Sequence, residues 1–275
     1  MGYEVGTSTS VERAFDLLDR VAAAGRDGIS LAELALTVPT AKSTTHRYVS
    51  TLLKLGLMRR DSAQRFHLGV KLVTLATAFL TDDELRQAAR PLLQELVDVT
   101  RETVHLGSLA GTEMVYIDKV ESPQSIRLVS HIGARAPTHC TAIGKCILAY
   151  LDEEHRASAL VHPLEVLTPH TLTGEALVAE FAEVRRQGFA IDDEENELGV
   201  RCLAAPILAT TQEPLGAVSV SAPATRLDRN RCVELAPTVI ETAREIARRA
   251  GHAPFADHSD GRRSAAPQTE QANEE

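Results

Sequence analysis

The sequence has no tryptophan and only four tyrosines and six phenylalanines in 275 residues. It has four cysteines, Cys140, Cys146, Cys202 and Cys232. In a chain this long they do not make a disulfide scaffold, and a cytosolic protein with reduced thiols is the simpler reading. There is no CxxC pair, and His139, Cys140 and Cys146 lack a convincing fourth ligand, so no metal site is expected. No stretch approaches the roughly 20 apolar residues that span a bilayer. The first residues, MGYEVGTSTSVERAFD, lack the basic and apolar regions of a signal peptide. These absences argue against membrane spanning, secretion and disorder of the whole chain, and a cytoplasmic location is expected. What is present is ordinary for a globular protein: 44% hydrophobic and 24% charged residues. The length allows one large domain or two modest ones.

The net charge of −9 is unevenly spread. Residues 1–80 hold ten Lys and Arg against seven Asp and Glu, whereas residues 81–275 hold nineteen against thirty-one. Between 41 and 71, Lys42, Arg47, Lys54, Arg59, Arg60, Arg65 and Lys71 meet one acid, Asp61. A basic patch of that density on an acidic protein is an electrostatic footprint for a polyanion.

Local patterns give this patch a geometry. Residues 11–24 repeat apolar side chains at helical spacing, with Ser10 as the expected N-cap and Gly25 and Gly28 beyond the end. Ser30 and Glu33 form a capping-box pattern before LAELALTV, which Pro39 closes. A third helix is predicted from about Thr40 to Leu55, stopped by Gly56. At 100° per residue, Thr45, Tyr48, Val49, Leu52 and Leu55 fall on one side of it. Ser43, Arg47, Ser50 and Lys54 fall on the other, flanked by Thr44, His46 and Thr51, which makes a buried stripe opposite a face of hydroxyls and cations. Leu57–Arg60 and Arg65–Leu68 then read as an arginine-rich hairpin around Asp61–Gln64. Helix, helix, polar helix and basic hairpin in that order describe a winged helix-turn-helix over 9–70, after a leader at 1–8. The candidate DNA-binding residues are Lys42, Ser43, Thr44, His46, Arg47, Ser50, Lys54, Arg59, Arg60 and Arg65. Arg47 and the hydroxyls are expected to face base edges or phosphates, and Lys42, Lys54, Arg59, Arg60 and Arg65 to face phosphates.

Residues 71–87 read as a helix joining two domains, and Pro91 as opening or kinking another. From 103 the pattern turns to strands: TVHLGSLAG, EMVYIDKVE and SIRLVSHIG, and later VRCLAAPILA and PLGAVSVSA. Helices are expected at TAIGKCILAYL, over 173–187 and over 228–249. The mixture with hairpins predicts an α+β domain with a mainly antiparallel sheet over 89–250, preceded by a linker helix at 71–88. Residues 251–275 are polar and read as a disordered tail.

Four separated motifs carry a resemblance that spans about residues 9–250. They are KSTTHRYVSTLLKLGLMRRD followed by RFHLG; Gly133 to His139 leading into Thr141 to Lys145; RRQGFAIDDEENELGVRCLAAP; and Ala217 to Ser221. In this order they resemble the isocitrate lyase regulator (IclR) family of bacterial transcription regulators. The resemblance implies a winged helix joined to a GAF-like effector-binding domain, and DNA binding as a homodimer or a dimer of dimers. The sequence departs from the family pattern at Thr138, where Leu or Met is usual, and at Gln64, where the wing turn usually has Gly. Thr138 is therefore expected to alter the mouth of the ligand site.

Thr141 is placed to cap the helix that follows, leaving the amides of Ala142, Ile143 and Gly144 to meet a carboxylate. The resemblance agrees, because relatives hold small organic acids at this helix start. It also assigns Asp192, Cys202, Ser219 and Ser221 to the effector cavity. Ser219 and Ser221 share a strand face, and such a hydroxyl pair binds a keto or hydroxyl oxygen. Ionised Asp192 would repel a second carboxylate. A monocarboxylate with a hydroxyl or keto group is therefore the expected effector, with Val200 and Leu109 as apolar wall. Gly144-Lys145-Cys146 is not a phosphate-binding loop, since Gly at 139 and Ser or Thr at 146 are missing.

The resulting expectation is a DNA-binding regulator, a repressor, that recognises a palindromic operator under control of a small organic acid. No cofactor and no catalytic residue are expected. An activator with the same architecture is the alternative. A small-acid enzyme using Cys202 or His139 finds no catalytic constellation in the sequence. A DNA-binding module without ligand control predicts an apolar or filled cavity in the second domain.

Overall fold

The structure, a computed structural model, describes residues 9–38, 41–160 and 163–252. The expected leader, Pro39 and Thr40 at the start of the third helix, and residues 253–275 of the expected tail lie outside the described residues. The chain divides into two compact units, Met1–Asp83 and Glu84–Glu275.

The first unit holds α1 (Thr9–Ala23), a 3-10 turn (Gly25–Asp27), α2 (Leu31–Thr37), α3 (Lys42–Lys54), the hairpin β1 (Met58–Arg60) and β2 (Phe66–Leu68), and α4 (Lys71–Asp82). α1 has already begun at Thr9, so Ser10 lies inside the helix instead of capping it, and its hydroxyl bonds to Tyr48. The capping box at α2 forms in full: the Glu33 amide donates to Ser30 Oγ and the Ser30 amide to the Glu33 carboxylate. Thr45, Val49 and Leu52 of α3 are buried, while Leu55, expected on the same stripe, is exposed beyond the helix end. Leu17, Leu34, Val49, Leu52, Met58 and Phe66 close the core. The hairpin pairs Met58 with Leu68 and Arg60 with Phe66, and Ile29 and Phe66 exchange backbone hydrogen bonds that fasten it to the helices. Gln64 in the wing turn has φ 65, a left-handed conformation that explains why glycine suits this position.

The helix expected over 71–87 is two helices. α4 ends at Asp82, and Asp83 is extended. Asp82 and Asp83 oppose the negative end of the helix dipole, whereas Glu84 suits the start of the next helix. The unit boundary therefore falls at Asp83/Glu84, inside the linker range 71–88.

The second unit contains α5 (Glu84–Thr100), β3 (Thr103–Ala110), β4 (Glu113–Val120), β5 (Arg135–Pro137), α6 (Ala142–Tyr150), α7 (Glu153–Ala159), α8 (Gly174–Gln187), β6 (Ala190–Asp193), β7 (Val200–Leu208), β8 (Pro214–Pro223) and α9 (Arg229–Arg249). Pro91 sits inside α5 and does not open a helix. The six strands run β5-β4-β3-β8-β7-β6, with every pair antiparallel. One face of the sheet packs on α5 and α9 through Leu93, Leu96, Leu203, Val218, Val220, Val239 and Ile246. The other packs on α6 and α8 through Ile143, Ile147, Leu177, Phe181 and Ala204. This is the α+β class with an antiparallel sheet that the sequence predicts.

The strand expected at SIRLVSHIG does not form. Ile126 and Val129 are exposed, and side chains take the backbone acceptors that a ladder would use. Lys119 Nζ donates to the Ser130 carbonyl (2.8 Å) and Arg226 to the Ile126 carbonyl (2.9 Å). Residues 121–134 are therefore a strap running to the short edge strand β5. That strand, β6 and α7 were not read from the sequence.

Candidate ligand cavity and nucleic-acid interface

In the first unit, Lys42, Ser43, His46, Arg47, Ser50, Lys54, Arg59 and Arg60 are exposed and Thr44 is half-buried. The sequence spacing accounts for the α3 residues: burying Thr45, Val49 and Leu52 turns the opposite face outward. Arg59 and Arg60 stand on the wing.

Arg65 has a different role. Its Nε donates to the Asp27 carbonyl (2.6 Å) and its Nη2 to the Gly28 carbonyl (2.8 Å), and it lies 3.4 Å from Glu33. The guanidinium staples the wing to the turn before α2, which removes it from the set of free phosphate-seeking cations. Substitution Arg65→Ala is expected to lower the stability of this unit by about 1–2 kcal/mol while leaving the salt dependence of DNA binding unchanged. Thermal melting and a salt titration of DNA affinity check the two halves; a shallower salt slope would return Arg65 to the phosphates.

In the second unit a cavity of about 480 Å³ opens beside the start of α6. Register builds its floor. Asp192 of β6 lies opposite Cys202 of β7, which lies opposite Ser221 of β8. In the next row on that face, Ser219 lies opposite His105 of β3. Ala142 and Ile143 line the α6 side, and Val200 an edge. Seven of the eight candidate effector residues therefore meet in one cavity.

Gly144 does not line it. A Cβ there would lie 2.2 Å from the Thr138 carbonyl oxygen, so the glycine permits close packing of α6 on the preceding loop. Its amide donates to Thr141 Oγ1 (3.2 Å), which confirms Thr141 as the N-cap and leaves Ala142 and Ile143 as the amides without an acceptor among the described residues. Thr138 is buried, with its hydroxyl near the Ala159 and Thr112 carbonyls, and is absent from the cavity wall. Leu109 packs into the α6–α8 core and is also absent from the wall.

Several lining residues escaped the sequence reading: Met114 and Tyr116 of β4, His105, Asn196, and Arg127 to His131 of the strap. His105 is 2% exposed, and its imidazole spans Ser130 Oγ at 2.8 Å and Ser221 Oγ at 3.4 Å. Burial, with Lys119 nearby, pushes its pKa down to about 3, so it is a neutral donor–acceptor at physiological pH. Tyr116 stacks at 4.5 Å between ring centroids, and burial keeps its hydroxyl protonated. Only the alternation of Thr103 and His105 along one strand face hints at this role, and their partner strand lies more than a hundred residues away.

Asp192 is 2% exposed. Its Oδ1 accepts the amides of Glu195 (2.8 Å) and Asn196 (3.3 Å). Burial, and then the charge of Glu195, push its pKa up to about 7 against those bonds. The carboxyl therefore titrates near neutrality and is not simply ionised. Burial pushes the Cys202 thiol well up, far from thiolate. His139 bonds through Nε2 to the Glu165 carbonyl (2.9 Å) beside a separate cavity. Among the described residues neither has the partner that nucleophilic chemistry needs. Among the described residues no cluster of His, Cys, Asp and Glu is arranged to hold a metal ion, and no helix is long and apolar enough to cross a membrane.

Comparison with known proteins places both units. A family model described as the IclR helix-turn-helix domain matches residues 10–62, and one described as the bacterial transcriptional regulator IclR C-terminal matches residues 77–248. The chain is 36% identical over 247 residues to the HTH-type transcriptional regulator BhcR of Paracoccus denitrificans, covering 88% of this chain and 87% of that one. It is 32% identical over 247 residues to the transcriptional repressor IclR of Escherichia coli, covering 88% and 89%. An IclR homologue from Microbacterium hydrocarbonoxydans, solved in complex with 4-hydroxybenzoate, shares the fold with a TM-score of 0.75 at 23% identity, over 88% of this chain and 99% of that one. The Paracoccus and Escherichia relatives are named as transcriptional regulators, not enzymes.

Proposed function

The chain belongs to the IclR family of bacterial DNA-binding transcriptional regulators, and from that premise we propose that it is a cytoplasmic repressor released from or recruited to its operator by a small monocarboxylate carrying a hydroxyl or keto group. The cavity carries this reading: Ala142 and Ile143, whose amides have no acceptor among the described residues, line it together with Asp192, Cys202, Ser219 and Ser221. The carboxylate belongs at the amides of Ala142 and Ile143, where the helix dipole favours negative charge. The hydroxyl or keto oxygen belongs at the two serines, with neutral His105 behind them. A volume of about 480 Å³ suits a small organic ligand. The bound 4-hydroxybenzoate of the Microbacterium homologue, an acid with a hydroxyl, agrees with that chemistry.

The DNA contacts come from α3 and the wing. The described part of the first unit also carries the basis for a homodimer. α4 buries none of its side chains, and Val73, Leu75 and Phe79 are more than half exposed. An apolar helix left open in this way favours a second copy. A dimer presents two recognition helices to a palindrome with half-sites about one helical turn apart. A dimer of dimers repeats that unit.

Genomic fragments captured by the purified full-length protein at near-physiological salt, then sequenced, test the proposal. The expected outcome is a few enriched fragments sharing a palindrome, with occupancy changed by one of a panel of monocarboxylates. Uniform recovery of all fragments, with and without the acids, would overturn it.

A further inference from the structure

The cavity has a support that the reading above does not use. Lys145 is fully buried. It stands one turn into α6, after the helix start that lines the cavity. Its ammonium donates to Glu180 of α8 (3.0 Å), to the Ile191 carbonyl of β6 (2.6 Å) and to Glu195 in the turn after β6. All three N–H donors are thereby used. Burial alone would push its pKa down, but Glu195 and Glu180 more than offset that, so Lys145 stays charged.

The acceptors fall on either side of Asp192. One is the carbonyl just before it and one the carboxylate three residues after, so the ammonium clasps both ends of a single turn. Inside the clasp, Asp192 Oδ1 takes the Glu195 and Asn196 amides. Within the clasped turn Glu194 has φ 64, an uncommon conformation for a side-chain-bearing residue. The same lysine is therefore tied to the amide edge of the cavity through α6 and to its acidic edge through the turn. Replacing a buried ion pair by apolar residues is often neutral or stabilising, which makes a geometric role the better reason to keep one.

We propose that Lys145 is the positioning residue of this cavity, holding the Asp192 turn at a fixed distance from the start of α6. The inference rests on reading the cavity as the effector site. Charge follows position. The groups facing Asp192 are Lys145 of α6, Glu195 of its own turn, Cys140 before α6, Tyr116 of β4 and Cys202 of β7. Lys145 is the cation among them, and it also bonds Glu180.

The test uses the full-length protein with ¹³C-labelled aspartate, in which the Asp192 carboxyl signal is assigned by its loss in Asp192→Asn. Without any ligand, Lys145→Met is expected to move the Asp192 titration midpoint up by about one pH unit, and Glu195→Gln to move it down by a similar amount. Lys145→Arg keeps the charge but not the three-way geometry and is expected to lie between wild type and Lys145→Met. If Lys145→Met gives no cooperative melt, Glu195→Gln and Lys145→Arg carry the test. An unmoved midpoint in every folded variant would reduce Lys145 to packing and overturn the proposal. Lactate, pyruvate and 4-hydroxybenzoate are then titrated calorimetrically at pH 7. A loss of affinity of about tenfold or more in Lys145→Met or Lys145→Arg supports the positioning role, and unchanged affinity in a variant whose midpoint has moved opposes it. If the wild type binds none of the three acids, the effector reading fails for them, and the ligand-free titration still decides Lys145.

Discussion

Arg47→Ala is expected to weaken binding to the operator by between about fivefold and 150-fold, and binding to random DNA by far less. The range is a bidentate arginine–guanine contact, about 1–3 kcal/mol of discrimination, converted to affinity. The argument begins with the buried side of α3. Thr45, Val49 and Leu52 fix its rotation, so Arg47 projects outward between Ser43 and Ser50, which are also exposed. Arg47 has no ion pair with any described residue, whereas Arg65 spends its guanidinium on two carbonyls and lies close to Glu33. A free, exposed arginine in the middle of the recognition helix is available to read a base edge. Lys42, Lys54, Arg59 and Arg60 are equally exposed, but they lie at the ends of the helix or on the wing, where phosphates are the nearer targets. Binding measured on the recovered palindrome and on scrambled DNA of the same length separates the two roles. Equal loss on both would move Arg47 to the backbone.

What could be read in advance was local. Ser30 with Glu33, and Thr141 before Ala142, are caps whose partners lie three residues away, so spacing alone reveals them. The alternation of Ser219 and Ser221 likewise fixed their common face. The helix start at Ser10 and the break at Asp83 are local misreadings, but those that bear on the two sites involve distant partners. Arg65 looks like any other wing cation until Asp27 and Gly28 arrive beside it. The apolar residues of 125–133 suggest a strand, but Lys119 and Arg226, from elsewhere in the chain, take carbonyls of that segment. Gly144 looks like an open approach to the backbone, but the Thr138 main chain fills the space. Lys145 reads in the sequence only as part of a loop that resembles a phosphate-binding one, because nothing near it in sequence announces Glu180 and Glu195.

Asp192→Asn is expected to stabilise the second unit at neutral and alkaline pH while abolishing the pH dependence of ligand binding. The folded protein holds the Asp192 proton up to about pH 7, and an unfolded chain releases it near 3.8. The associated stability is complete below pH 4 and is lost as pH rises through the folded value. Above pH 7 the wild type therefore bears the full cost of an ionised, buried carboxylate, up to about 4 kcal/mol for a displacement from 3.8 to about 7. Asparagine keeps an oxygen for the Glu195 and Asn196 amides and never ionises. The gain of the variant over wild type should be near zero at pH 4, grow between pH 4 and 7, and then level off in denaturant titrations. Ligand affinity follows from the same proton. Below pH 7 a protonated Asp192 can donate to an oxygen of the bound acid, whereas above it an anion faces an anion. Wild-type affinity for a monocarboxylate should approach a tenfold fall per pH unit above pH 7, and that of Asp192→Asn should be flat. A variant less stable than wild type at pH 8 would mean that Asp192 is ionised and well paired in the folded protein, and the acidic edge of the cavity would then repel every anion at working pH.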